Sequence, residues 1–167
     1  MRTWTAELML GASALALAGC SSGDGGGGDG MDPPPAPNWS DPEVAVIERL
    51  DFDEMIDGIR LDDGRGVLSI DDRLSEASQD YASLMVSTGE FGNNVGGTTA
   101  TESAAAAGYD ASFMAENIAQ GPTTSDAVLD LWMDGGSSRA NILNTNAEDF
   151  GIGRVDDTWV LMLGREQ

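Results

Sequence analysis

The sequence predicts an α+β domain in which helices flank a small antiparallel sheet, and three observations carry that expectation. Apolar residues recur at helical spacing in separate stretches between residues 44 and 133. Near the end, Phe150–Val155 and Trp159–Leu163 read as two strands joined at Asp156 and Asp157. On the second, Trp159, Leu161 and Leu163 alternate with Val160 and Met162, a period of two. An extended piece around Glu116 supplies a third strand.

The chain divides into residues 1–19, a leader; 20–40, a linker; and 41–167, one domain's worth of sequence, long enough to bury a core. The leader holds an apolar run from Leu8 to Ala18 behind a single basic residue, Arg2. That run is shorter than the about 20 apolar residues a membrane-crossing helix needs, so it reads as a signal-peptide core. It ends in Leu17-Ala18-Gly19-Cys20, which resembles the lipobox of bacterial lipoproteins, and Cys20 is the chain's one cysteine. The resemblance implies cleavage before Cys20 and acylation of its thiol, which excludes an internal disulfide. Ser21 follows, where an aspartate would be the familiar inner-membrane retention signal, so the expected location is the cell envelope, anchored by lipid in the outer membrane of a Gram-negative cell. The linker is Gly, Pro, Ser and Asp with almost nothing to bury and is expected to stay disordered. Its Gly25–Gly28 run lacks the strand before and the Lys-Ser/Thr after that a phosphate loop requires.

Within the domain, Asp41 followed by Pro42 has the form of a helix start. Val44, Ile47, Phe52, Met55, Ile56 and Ile59 continue it, with a break possible near Asp51 and an end at Gly64 and Gly66. Ser69-x-x-Asp72 resembles a capping box ahead of Leu74, Ala77, Tyr81 and Leu84, a second helix that stops at Gly89. Thr99-x-x-Glu102 opens a third, through the alanine run to Gly108. A fourth, Ser125–Met133, is expected to place Val128, Leu131 and Trp132 on one buried face.

The landmarks from Glu116 onward have a recognisable order. Glu116-Asn117-Ile118-Ala119, then Trp132, then Arg139-x-Asn141-Ile142-Leu143, then Gly151-x-Gly153 resemble the bacterial branch of the CAP (SCP) superfamily, the group of cysteine-rich secretory and pathogenesis-related proteins. Upstream, Asp57 with Arg60, then Leu68, Asp71 and Leu74, then Phe91-Gly92-Asn93 match its remaining blocks, so the resemblance spans residues 43–165. It implies a three-layer α-β-α sandwich. It also implies a surface cleft where two histidines and two acidic residues meet, a cluster that holds zinc or another divalent ion in some members. Those histidine positions here are Asn93 and Ser138, in a chain with no histidine at all. Of the acidic positions Glu116 remains and the other is Gly135.

The missing residue types prune chemistry further. The formal charge is -21, from 29 acidic residues against eight basic ones, all arginine. A field of that sign repels phosphate backbones, so nucleic acid is excluded as a partner. Without histidine or lysine there is no Ser-His-Asp, Cys-His or Ser-Lys nucleophile and no Schiff base. One carboxylate, one amide and one hydroxyl make a poor zinc site, so no metal and no cofactor are expected. A hard cation on Glu116, Asn93, Ser138 and Asp134 is the weaker variant, and a neutral hydrogen-bonded Asn93–Ser138 pair the plainer one.

The cleft is therefore expected to comprise Asn93, Glu116, Asn117, Ser138 and Asn141, with the Glu116-Asn117 pair tying backbone amides together at its wall, and Arg139 and Asn141 anchoring the adjacent loop, Arg139 by pairing a carboxylate. Trp132 reads as core. The preferred reading is a monomeric, non-catalytic lipoprotein, held to the membrane by lipid on Cys20, whose cleft binds a protein, glycan or lipid. The competing reading is an envelope hydrolase with Glu116 as general base. Glu102 is the one residue to nominate as a second carboxylate for a glycosidase.

Overall fold

The computed structural model describes residues 42–167; the leader, Cys20, the linker and the Asp41 cap lie outside the described residues, as do the side chains of Val44 and Ile47. The elements in order are α1 (Pro42–Asp62), β1 (Ser69–Ile70), α2 (Asp72–Thr88), α3 (Ala100–Ala106), β2 (Ala111–Gln120), α4 (Ser125–Asp134), α5 (Gly136–Ile142), β3 (Asp149–Val155) and β4 (Thr158–Glu166). The sheet runs β1-β3-β4-β2. Its three long strands are antiparallel, and the two-residue β1 adds a short parallel pairing, Ser69 with Asp149 and Ile70 with Phe150.

The alternation of β4 builds the layers. Trp159, Leu161 and Leu163 face one way, onto Phe52 and Ile56 of α1, Val128 and Trp132 of α4 and Ile142 of α5. Val160 and Met162 face the other way, onto Leu74, Tyr81 and Met85 of α2 and Ala104 of α3. Both faces of β4 are buried, because successive side chains of a strand point to opposite sides and here each side has its own helices. The result is the α-β-α sandwich.

Four local readings change. The first helix is unbroken through Asp51. The cap of α2 is Asp71, not Ser69: Asp71 is extended, and its Oδ1 accepts from the N–H of Arg73 at 2.9 Å and of Leu74 at 3.2 Å, while Ser69 is taken up by β1. On α4 the buried face is Val128, Leu129 and Trp132, and Leu131 is 50 % exposed. The i, i+1, i+4 stripe packs where an i, i+3, i+4 stripe was expected. The short α5 had no pattern to announce it; its first residue is glycine and its N-terminus has no side-chain cap.

Two contacts set how close the layers come. A Cβ on Gly151 would lie 2.1 Å from the Leu74 carbonyl carbon, and one on Gly153 would lie 2.3 Å from the Gln79 nitrogen. So α2 rests backbone to backbone on β3, which is why the Gly-x-Gly block must be glycine. Gln79 then behaves as a substitute strand, its Nε2 donating to the Arg154 carbonyl at 2.9 Å and its Oε1 accepting from the Arg154 N–H at 3.0 Å. On the far side, Arg60 is 2 % exposed and donates to the carbonyls of Gly66 at 2.7 Å, Ile142 at 2.5 Å and Asn144 at 3.1 Å. One buried guanidinium thereby fixes the end of α1 to the end of α5.

Gly153→Ala is expected to destabilise the fold by about 3 kcal/mol or more, since backbone atoms rather than a flexible side chain must move. Gly58→Ala, with nothing within 4 Å of its Cβ position, is expected to stabilise α1 by roughly 0.5–1 kcal/mol. Urea denaturation of the two variants checks the pair.

Candidate functional site

Strand β2 carries the site on two adjacent residues. Asn117 is buried and faces the layer of α4 and α5. Its Nδ2 donates to the Ser138 carbonyl at 3.0 Å, and its Oδ1 accepts from Asn141 Nδ2 at 2.9 Å. The same Asn141 amide also donates to the Glu116 carbonyl at 3.1 Å, and Trp132 Nε1 donates to the Ile118 carbonyl at 3.2 Å. These bonds seat α4 and α5 on the strand. Arg139, on the outer side of α5, pairs with Asp63 at 3.7 Å, an exposed contact that contributes little.

Glu116, one residue away, faces the layer of α2 and α3. Its Oε2 accepts from Asn93 Nδ2 at 2.7 Å. Its Oε1 is buried and has no hydrogen-bond partner. Burial pushes this carboxyl up to about 7, and the Asn93 hydrogen bond opposes that only in part. No cation offsets the burial, so the cause is desolvation.

Asn93 is held in place by its neighbours rather than by itself. It is exposed, but Val95 beside it is buried and bridges to Thr98. The Tyr81 hydroxyl of α2 lies 3.1 Å from the Gly92 carbonyl and 3.2 Å from that of Thr98, pinning the loop from beneath. Burial, and after it the nearby Glu116, hold the Tyr81 phenol above its usual range. Tyr81 is a positioning residue that the sequence marked only as a core position of a helix; nothing in the pattern announces what its hydroxyl holds.

The structure thus brings Asn93 and Glu116 into contact and ties Glu116, Asn117, Asn141 and Ser138 into one network. The direct Asn93–Ser138 hydrogen bond does not form: Asn93 turns to Glu116, and Ser138 is reached through its carbonyl from Asn117. Glu102 belongs to the capping box of α3, with Thr99 donating to its carboxylate through N–H at 2.9 Å and hydroxyl at 2.8 Å. Those bonds hold its carboxyl below the usual range, a poor state for a proton donor in a glycosidase pair.

The family's divalent ion does not fit these residues. Asn93 presents an N–H donor to the single carboxylate of the site, where a metal needs a lone pair. Among the described residues no three His, Cys, Asp or Glu side chains lie together in a way that would hold a metal ion. Asp134, the remaining member of the hard-cation variant, is exposed at the last position of α4.

A three-layer α-β-α sandwich with a Glu-Asn strand at the rim of its sheet is the class this geometry defines. The model of the cysteine-rich secretory protein (CAP) family matches residues 54–161, and the chain belongs to that family. Among solved structures, it is similar to an extracellular SCP-domain protein from Bacillus anthracis, with a TM-score of 0.70 at 19% identity over 75% of this chain and 44% of that one. An outer surface protein from Borrelia burgdorferi gives 0.67 at 21% identity, over 72% of this chain and 94% of that one. A cysteine-rich secretory protein from Staphylococcus aureus gives 0.62 at 16% identity, over 72% and 39%. The chain spans less than half the length of the first and third. No curated protein matches it by sequence.

The raised Glu116 carboxyl makes a signed prediction. With its folded value near 7 and its unfolded value near 4.5, the stability it contributes is complete below the unfolded value and is lost as pH rises through about 7. Glu116→Gln is expected to flatten that slope and to exceed wild type in stability above pH 7. Thermal unfolding of both proteins from pH 4.5 to 8 measures it; parallel curves would show that Glu116 is not buried as a charge.

Proposed function

We propose that the chain is a cell-envelope lipoprotein, acylated at Cys20 and carried by the outer membrane, whose CAP domain is a non-catalytic binding module. The single observation that carries the binding reading is the asymmetry of Glu116, with one oxygen capped by Asn93 and the other buried without a partner. Leaving a buried oxygen unpaired costs roughly 1–3 kcal/mol, and a ligand donor placed against it would recover that cost. The lipobox, the linker and the loss of both family histidines support the same reading. So does the kind of protein it resembles in fold, one described as extracellular and one as an outer surface protein. Among the described residues no helix is long and apolar enough to cross a membrane.

A second reading has an observation of its own. A carboxyl poised near 7 is suited to general-base work, so an envelope hydrolase acting through Glu116 is the competitor. The assay is turnover on a panel of peptides, glycans and lipid esters. The binding reading expects none above background. Hydrolysis that Glu116→Gln abolishes while the fold is retained would establish the competitor. For the anchor, Cys20→Ser is expected to move the protein from the membrane fraction to the soluble one; unchanged partitioning would contradict it.

A further inference from the structure

We infer that the cleft takes an extended, basic peptide segment, which pairs with the open stretch of β2 as an added strand. This rests on the binding reading above and names its ligand class.

The argument starts from the two edges of the sheet. The β3 edge is closed: Asp71 donates to the Phe150 carbonyl at 2.9 Å, Ser69 to that of Glu148 at 2.9 Å, and the Gln79 amide covers Arg154. The other edge is β2, which pairs only with β4. Its Glu116 and Ile118 carbonyls accept from Asn141 and Trp132, side chains of the helices beyond the edge. Those two residues therefore turn their main chain away from β4.

In an antiparallel ladder the N–H and C=O of one residue point the same way, and the direction alternates along the strand. The Glu116 N–H consequently points outward, and so do the N–H and C=O of Met114. Among the described residues none of these three groups has a hydrogen-bond partner outside the sheet. The covering side chains stop at Glu116, and Ser112 at the other end is exposed. An edge strand left open over such a length is a template for another strand.

Charge selects the occupant. The chain carries a formal charge of -21 with no lysine, and the Glu116 carboxylate stands on the same stretch with Oε1 unpartnered. An added strand lies about 4.8 Å from β2, close enough for an ammonium or guanidinium on it to be drawn by the charge of that carboxylate and of the acidic surface around it. Its main chain supplies acceptors for the Met114 and Glu116 N–H groups.

The test titrates the full chain with a labelled eight-residue peptide of alternating lysine and threonine. Three comparisons accompany it: the same peptide N-methylated on every second amide, in each of the two phases; a glutamate-threonine counterpart; and amide exchange at Met114 and Glu116. The lysine peptide is expected to bind and to slow exchange at both amides. One methylated phase and the glutamate peptide are each expected to bind at least about tenfold more weakly, as loss of two or more hydrogen bonds implies. Equal binding of both methylated phases and the parent would overturn the added strand. So would no binding of the lysine peptide, or Met114 and Glu116 amides that already exchange as slowly as Ala115 and Asn117 in the free protein. None of these outcomes decides the binding reading itself, which fails on Glu116-dependent turnover.

Discussion

The structure turns on the alternation of β2 at Glu116 and Asn117. Because neighbouring side chains of a strand must leave on opposite faces, one residue reaches the layer of α4 and α5 and the next reaches the layer of α2 and α3. Asn117 spends its amide on the backbone of α5 and on Asn141, which locks the helical layer to the strand. Glu116 is thereby delivered to the other face with its position fixed by a neighbour's bonds. The strand delivers the carboxylate to that face, and Asn93 then holds one of its oxygens.

That arrangement stands on a close approach elsewhere. β3 can meet α2 only where Gly151 and Gly153 remove the side chains between them. This contact sets the height of α2, and with it the height of Tyr81, whose hydroxyl holds the Asn93 loop against Glu116. A glycine pair on one strand and an asparagine on another therefore cooperate in placing a 2.7 Å hydrogen bond that neither touches. What the frame presents is a buried carboxyl with one oxygen satisfied and the other without a partner.

Much of this was legible in the residues. The alternation from Trp159 to Leu163 foretold a strand, and the burial of both its faces follows once helices are predicted on either side. The Gly-x-Gly block lies on a strand and the Glu-Asn block on another, and Asn93 and Glu116, both expected in the cleft, are in contact. What escaped has physical reasons. β1 is too short for any periodicity, and α5 opens on glycine without a side-chain cap, so neither leaves a pattern. Ser69 and Asp71 both look like caps, and only the pairing of Ser69 with Asp149 decides between them. Leu131 and Leu129 differ by half a turn on α4, which spacing alone does not resolve. The role of the Tyr81 hydroxyl depends on carbonyls 11 and 17 residues away, contacts that exist only once the loop has folded.

The central claim is that Glu116 is a buried carboxyl whose burial is not compensated by charge. Titrating the Glu116 side-chain carboxyl by carbon-13 NMR in the folded protein tests it most directly. The account predicts a midpoint near 7 in the wild type and a higher one in Asn93→Ala, because the Asn93 donor is what opposes the burial. A midpoint near the ordinary value of 4.5 would show a solvated carboxylate, and the proposed site would lose its basis.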